Sequence, residues 1–198
     1  MGRVRRDRPQ AESLRLFVAA DMPEQVGVAL EEAVRPWRDR LGTGRWVPRE
    51  NWHVTLKFLG RTWPRLLPLV EAASRDAAGP VTPFELRLSG LGVFPGPGRA
   101  RVLWAGLDDP EEHLTEIAAG LDAALAKEFA PEKRAFTPHL TVARFNPPVP
   151  MRDHAESLAA TEIDAPEFVV DRLVLYRSHL SPRGARYEPL AEFPFGAP

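Results

Sequence analysis

Two short stretches of this 198-residue chain carry one pattern. His53-Val54-Thr55-Leu56 and His139-Leu140-Thr141-Val142 each read His, apolar, Thr, apolar. Side chains alternate between the two faces of a strand. His53 and Thr55 therefore share one face, with Val54 and Leu56 on the other. The same holds for His139 and Thr141 against Leu140 and Val142. Each segment would bury its apolar face and show an imidazole and a hydroxyl opposite. Two such strands side by side place two histidines and two threonines in one cleft.

Three chemistries suit such a set. Metal binding is one, but zinc sites usually take three or four protein ligands, and no cysteine or close carboxylate completes this one. Serine-hydrolase chemistry is another, but threonine is a poor nucleophile there and no Gly-x-Ser-x-Gly elbow occurs. Acid–base catalysis on a phosphate fits best. Two imidazoles that titrate near neutrality can serve as general acid and general base. Two hydroxyls can donate to non-bridging phosphate oxygens, and an arginine can bind the same group in a bidentate manner.

Arg144 is the candidate arginine. It lies five positions past His139, so strict alternation sends it to the apolar face. A bulge, or the end of the strand after Ala143, would bring it round. The first motif has Phe58 at the corresponding place. Lys57 has the parity to face the cleft, although an ordinary solvated lysine reads equally well. Phe17, Trp46 and Trp52 could stack on a base, with core packing the preferred reading of each. The other histidines make a useful control. His113 also begins a His-x-Thr triplet, but in a helical pattern, where residues two apart diverge. It reads as an exposed first-turn residue, and His154 and His179 read as solvent-facing.

The elements that must position these residues follow from periodicity. Leu14–Ala20 is a short apolar run, hence a buried strand. Asp21 can cap a helix with Val26, Leu30, Val34, Trp37 and Leu41 on one face, kinked at Pro36 and ended by Gly42 and Gly44. The first motif strand closes at Gly60. Pro64–Ala78 reads as a helix and Phe84–Leu88 as a half-exposed strand. Gly90–Arg101, rich in Gly and Pro, reads as a loop. Arg101–Gly106 is a second apolar strand, followed by a helix carrying Leu114, Ile117, Leu121, Leu125 and Phe129. Pro131–Arg134 is a polar turn before the second motif. Met151–Ala160 is a short helix, Phe168–Tyr176 a strand, and Arg186–Leu190 leaves room for one more.

Strand, helix, motif strand, helix, strand thus occurs twice. Ala19 precedes His53 by 34 positions, and Ala105 precedes His139 by the same 34. This predicts two lobes of similar plan about an approximate two-fold axis, with the motif strands facing each other across it.

The formal net charge of −1 gives no global basic field, so any polyanion site must be local. The absence of cysteine excludes disulfides, thiolate metal sites and cysteine nucleophiles. No apolar run reaches the ~18 residues of a membrane span. Met1–Ala11 is Arg-rich without the apolar stretch of a signal peptide, so a cytoplasmic location is expected. Residues 1–12 read as a disordered basic tail and 13–195 as one bilobal domain.

The two motifs with Arg144 resemble the signatures of the 2H phosphoesterase superfamily. The segments RLFVAAD, RWVPRENWHVTLKFLG, FELRLSGLGVFP, RVLWAGL, FTPHLTVARF and RLVLYRSHLSPRGARYEPL resemble its LigT-type branch, the RNA 2′,3′-cyclic phosphodiesterases also called 2′-5′ RNA ligases. The likeness runs from about Leu14 to Leu190. It implies an α+β fold, bilobal and duplicated, with two antiparallel sheets flanking a central cleft and helices outside. It implies hydrolysis of RNA 2′,3′-cyclic phosphate ends to 2′-phosphomonoesters, with no metal or other cofactor. In that scheme His139 accepts a proton from water and His53 donates one to the departing 3′ oxygen. Thr55 and Thr141 hold the phosphate, and Arg144 stabilises its added charge. Expected partners are RNA ends or cyclic-phosphate nucleotides, with no membrane and a monomeric chain. Two alternatives use the same cleft: 2′-5′ ligation of RNA ends, and non-catalytic RNA or nucleotide binding.

Overall fold

The computed structural model describes residues 12–182 and 184–196. The expected basic tail lies outside the described residues, apart from Glu12. Nine strands are found among the described residues: β1 (Leu14–Ala20), β2 (Arg45–Trp46), β3 (Val54–Thr62), β4 (Phe84–Phe94), β5 (Ala100–Asp108), β6 (His139–Val149), β7 (Phe168–Val170), β8 (Arg172–Ser181) and β9 (Gly184–Pro194). Four α-helices accompany them: α1 (Glu24–Leu41), α2 (Leu67–Ala78), α3 (His113–Leu125) and α4 (Ala155–Ala159).

The strands run β7-β4-β5-β6-β3-β1-β8-β9, and β2 adds to β6. Every pairing is antiparallel. The two expected sheets are β7-β4-β5-β6 and β3-β1-β8-β9. They meet at one register pair, Val54 with Leu140. The third strand of each repeat is exchanged: β4 follows the first motif but pairs with β5, and β8 follows the second motif but pairs with β1.

One apolar core joins the sheets and helices. Val54, Leu56, Leu140 and Val142 are buried in it, on the faces that alternation assigns them. α1 contributes Val26, Leu30, Val34 and Trp37. α3 contributes Leu114, Ile117, Leu121 and Leu125, each worth about 1.5–3 kcal/mol relative to exposure. Phe129 is also buried but lies beyond the helix end.

Several boundaries differ from expectation. α1 runs through Pro36 as one helix and is capped by Pro23, with no side-chain cap. Asp21 instead accepts a hydrogen bond from the Tyr176 hydroxyl at 2.7 Å. At the other end Gly42 adopts φ 55° and its N–H donates to the Arg38 carbonyl, which terminates the helix. The expected loop at Gly90–Arg101 is largely strand. Its glycines answer to close packing: a Cβ on Gly92 would lie 2.2 Å from the Trp104 ring, and one on Gly90 would lie 2.3 Å from the Ala159 carbonyl oxygen. Phe168–Tyr176 divides at Asp171 between β7 and β8, and the last strand is longer than Arg186–Leu190.

Candidate active site

The Val54–Leu140 pair sets the geometry of the cleft. Continuing that antiparallel register by one residue each way puts His53 opposite Thr141 and Thr55 opposite His139. The four polar side chains of the motifs thus form a crossed quartet on the face away from the core. All four are half-buried.

Both motif strands carry a bulge at the same place. On β3 the register against β1 slips between Thr55 and Lys57; on β6 the register against β5 slips between Thr141 and Ala143. The extra residues are Leu56 and Val142. Each slip reverses the facing of the residues beyond it. Arg144 therefore joins the cleft face, and Phe58 takes the equivalent position in the first motif. Of the two routes expected from sequence, a bulge or an end of the strand after Ala143, the structure takes the bulge, and β6 runs on to Val149.

The same slip turns Lys57 away from both the cleft and solvent. Its side chain is 1% exposed, pairs with Asp122 of α3, and donates to the Ala130 carbonyl at 3.0 Å. The ammonium holds the Asp122 carboxyl below the usual range. Asp122 also accepts from the Glu132 backbone N–H at 3.2 Å. Lys57 thus ties β3 to the segment that leads into His139. The register also sets the two repeats one residue apart, ahead of either bulge: the partner of Thr141 is Trp104, not Ala105. Ala19 faces Thr55, whereas Ala105 faces Leu140. The equal 34-residue spacings therefore do not join equivalent residues.

The cleft has two contiguous basins that share Thr55 and Phe58. One, about 490 Å³, is lined by His53, Thr141 and Arg144 together with Arg15, Arg45, Phe17 and Tyr187. The other, about 640 Å³, adjoins His139 and is walled by Phe94, Pro95, Val102 and Phe136, with Glu132 and Arg134 at its polar part.

The two imidazoles sit in different surroundings. His53 stacks on Phe17 at 4.6 Å between centroids and meets Tyr187 edge-on at 5.1 Å. Phe17 in turn stacks on Tyr176 at 5.3 Å. Burial pushes the His53 pKa down to about 4, against the pull of the Asn51 carbonyl, and the charges of Arg144 and His139 lower it further. His53 Nε2 lies 3.1 Å from Thr55 Oγ1. His139 is edge-on to Phe94 at 5.1 Å. Its Nδ1 donates to the Thr137 carbonyl at 2.7 Å. A carbonyl accepts only from N–H, so this bond puts the proton of the neutral ring on Nδ1 and leaves the Nε2 lone pair free. Burial lowers the His139 pKa as well, again opposed by that carbonyl. Each histidine is thus supported by the carbonyl two residues upstream.

The control histidines lie elsewhere. His113 is half-buried rather than exposed, stacked on Phe84 at 4.3 Å and 3.4 Å from Asp109. His154 is edge-on to Trp37 at 5.9 Å, and His179 contacts Glu188 at 2.6 Å. Both are half-buried rather than solvent-facing. Trp52 is core. Trp46 is half-buried against the Arg38 guanidinium. Phe17 is buried, yet its ring face supports His53.

Sequence reasoning did not find Arg15, Arg45, Phe94, Trp104, Tyr176 or Tyr187. A signal existed for the last two: they are the chain's two tyrosines, and both gather round His53.

Comparison with known proteins finds relatives over nearly the whole chain. The RNA 2′,3′-cyclic phosphodiesterase of Methanothermobacter thermautotrophicus is 33% identical over 186 residues, spanning 91% of this chain and 98% of that one. The protein of the same name from Thermus thermophilus is 34% identical over 192 residues, with 91% and 89% covered. Among solved structures, TT0787 of Thermus thermophilus superposes with a TM-score of 0.75 at 32% identity, covering 92% of this chain and 98% of that one. Escherichia coli LigT complexed with 3′-AMP gives 0.70 at 28%, covering 94% and 100%. The family model for the 2′-5′ RNA ligase superfamily matches residues 26–182, both motifs included, and the chain belongs to that superfamily.

Proposed function

We propose that this protein is an RNA 2′,3′-cyclic phosphodiesterase that opens the cyclic phosphate to a 2′-phosphomonoester, with His139 as base and His53 as acid. The relatives' shared name supports the activity. The observation that carries the mechanism is that His53, Thr55, Thr141 and Arg144 line one basin, with His139 on the adjoining basin that shares Thr55.

In this reading the phosphate sits between Thr55 and Thr141, whose hydroxyls donate to its non-bridging oxygens. Water approaches from the His139 side. Nε2 of His139 takes its proton as the new O–P bond forms, while the Thr137 carbonyl steadies the resulting imidazolium through Nδ1–H. The P–O3′ bond breaks on the other side, and protonated His53 delivers a proton to the departing 3′ oxygen. Arg144 lies where it can stabilise the extra negative charge of the pentavalent state.

With its pKa pushed down to about 4, His53 is neutral at pH 7 before substrate binds. An arriving phosphate anion offsets the repulsion from Arg144 and His139 and favours the charged ring. Substrate binding thereby charges the acid it needs. One turnover leaves His139 protonated and His53 neutral, and proton exchange with solvent restores both.

The test is incubation with an oligonucleotide ending in a 2′,3′-cyclic phosphate, in EDTA, with products separated as 2′- or 3′-phosphate. Formation of the 2′-phosphate is expected. A 3′-phosphate product would reverse the leaving-group assignment, and turnover only on added metal would overturn the two-histidine mechanism.

A further inference from the structure

The basin on the His53 side holds more positive charge than one cyclic phosphate requires. Arg15, Arg45 and Arg144 all line it, and no Asp or Glu does. Among the described residues, none of the three has a carboxylate within ion-pair distance, although Arg49, Arg87 and Arg172 all do. Arg45 stands directly opposite Arg144 in the β2–β6 register. Like charges at directly paired positions destabilise a sheet. Arg15 lies over the exposed ring of Phe58 at 4.6 Å, at the rim that both basins share. Burial foremost, and then the charges of Arg45 and Arg15, make Arg144 harder to keep charged. Three uncompensated guanidiniums are an unfavourable arrangement until anions arrive.

A 2′,3′-cyclic phosphate carries a single negative charge. Under the assignment above, its nucleoside lies on the His53 side, because the 3′ oxygen leaves toward His53. The chain upstream of that nucleoside then runs into the same basin, and its next group is a phosphodiester. We propose that Arg15 and Arg45 form a second phosphate subsite that takes the phosphodiester 5′ to the terminal nucleotide. The preferred substrate is then an oligonucleotide end rather than a free nucleoside cyclic phosphate. Directly paired strand residues are about 4.5–5.5 Å apart at Cα, so Arg45 and Arg144 can grip neighbouring phosphates of one strand. This rests on the hydrolase reading and on its assignment of His53 to the leaving oxygen.

The test compares three substrates: a nucleoside 2′,3′-cyclic phosphate, a dinucleotide with the same cyclic end, and that dinucleotide with a neutral methylphosphonate linkage. The wild type should prefer the charged dinucleotide by ~10-fold or more in kcat/KM, chiefly through KM, and the neutral one should fall to the mononucleotide level. In Arg15→Gln/Arg45→Gln the ratio of charged to neutral dinucleotide should drop toward one, with Arg45→Lys retaining part of it. Raising salt should erode the preference in the wild type. Equal kcat/KM for charged and neutral dinucleotides in the wild type would overturn the subsite while leaving the hydrolase reading intact. No turnover of any of the three would overturn both. The substrate arm needs no variant, so a misfolded mutant would not obscure the result.

Discussion

Val54 stands opposite Leu140, the one backbone register pair between the two halves of the sheet among the described residues. Both side chains are buried. Their burial brings the polar residues on either side into register across the cleft, so an apolar contact positions the chemistry.

The first prediction concerns the histidines. His53→Ala and His139→Ala should each lower kcat by ~100-fold or more, the usual range for a lost general acid or base. Steady-state kinetics on a cyclic-phosphate oligonucleotide checks this. An unchanged rate for either variant removes that residue from the mechanism.

Under the proposed mechanism Arg144→Ala should cost a comparable ~100- to 1,000-fold in kcat, because it would remove a charge that stabilises the transition state. It should also raise the pKa of both histidines, since Arg144 lowers each. NMR titration of the imidazoles separates this from a folding defect. In the wild type, adding inorganic phosphate should likewise move the His53 titration upward from about 4. A His53 that titrates at its ordinary value of 6.5 without added phosphate would contradict the geometry.

Stability should depend on pH through the same ring. Folding lowers the His53 pKa, so between about 6.5 and about 4 the unfolded chain binds more protons than the folded one. Stability from this group is therefore intact above about pH 6.5 and is lost as pH falls toward 4. At about 1.4 kcal/mol per pH unit, the loss is capped at about 3 kcal/mol. Urea unfolding of wild type and His53→Gln at about pH 7.5 and about pH 5 isolates the contribution. The wild type should weaken more, and parallel behaviour would mean that His53 is not desolvated.

Lys57 and Asp122 should respond unequally. Asp122→Ala strands a buried ammonium, at about 3 kcal/mol. Lys57→Met leaves an apolar chain of similar volume and a carboxylate that reaches solvent, so it should cost much less. Asp122→Ala should also reduce kcat by freeing the segment before His139 from its anchor at the Glu132 N–H. Equal stability losses would show that burial of the charge is not what the pair relieves.

Gly92→Ala tests the packing behind His139. Its Cβ would sit 2.2 Å from the Trp104 ring, whose centroid is 6.5 Å from that of His139. Overpacking of this kind costs about 1–3 kcal/mol. Denaturation curves should show the loss, and kcat should fall with it as Trp104 moves. A variant as stable as the wild type would mean the sheet yields there freely.

The sequence was most legible where one strong period applied. Val54, Leu56, Leu140 and Val142 lie on the core face because period-two alternation leaves no other choice, and His53 and His139 follow from them. Lys57 and Arg144 lie just past a bulge, and parity cannot count an unpaired residue. For Arg144 the phosphate chemistry demanded a correction, so the bulge was anticipated. For Lys57 nothing demanded one, and its burial beside Asp122 was missed. Gly90 and Gly92 read as a loop because composition cannot distinguish a flexible turn from a strand pressed against Trp104. Arg15 and Arg45 were invisible as site residues because their nearness to Arg144 depends on pairing between distant strands.

The exchange of β4 and β8 bears on how the molecule is made. As a nascent chain leaves the ribosome, β1 and β3 emerge early, yet the neighbour of β1 lies between Arg172 and Ser181. The outer edge of β1 stays bare until most of the polypeptide has been synthesised. Phe17, under His53, is one of the residues on that waiting strand, so the His53 side of the cleft is sealed late.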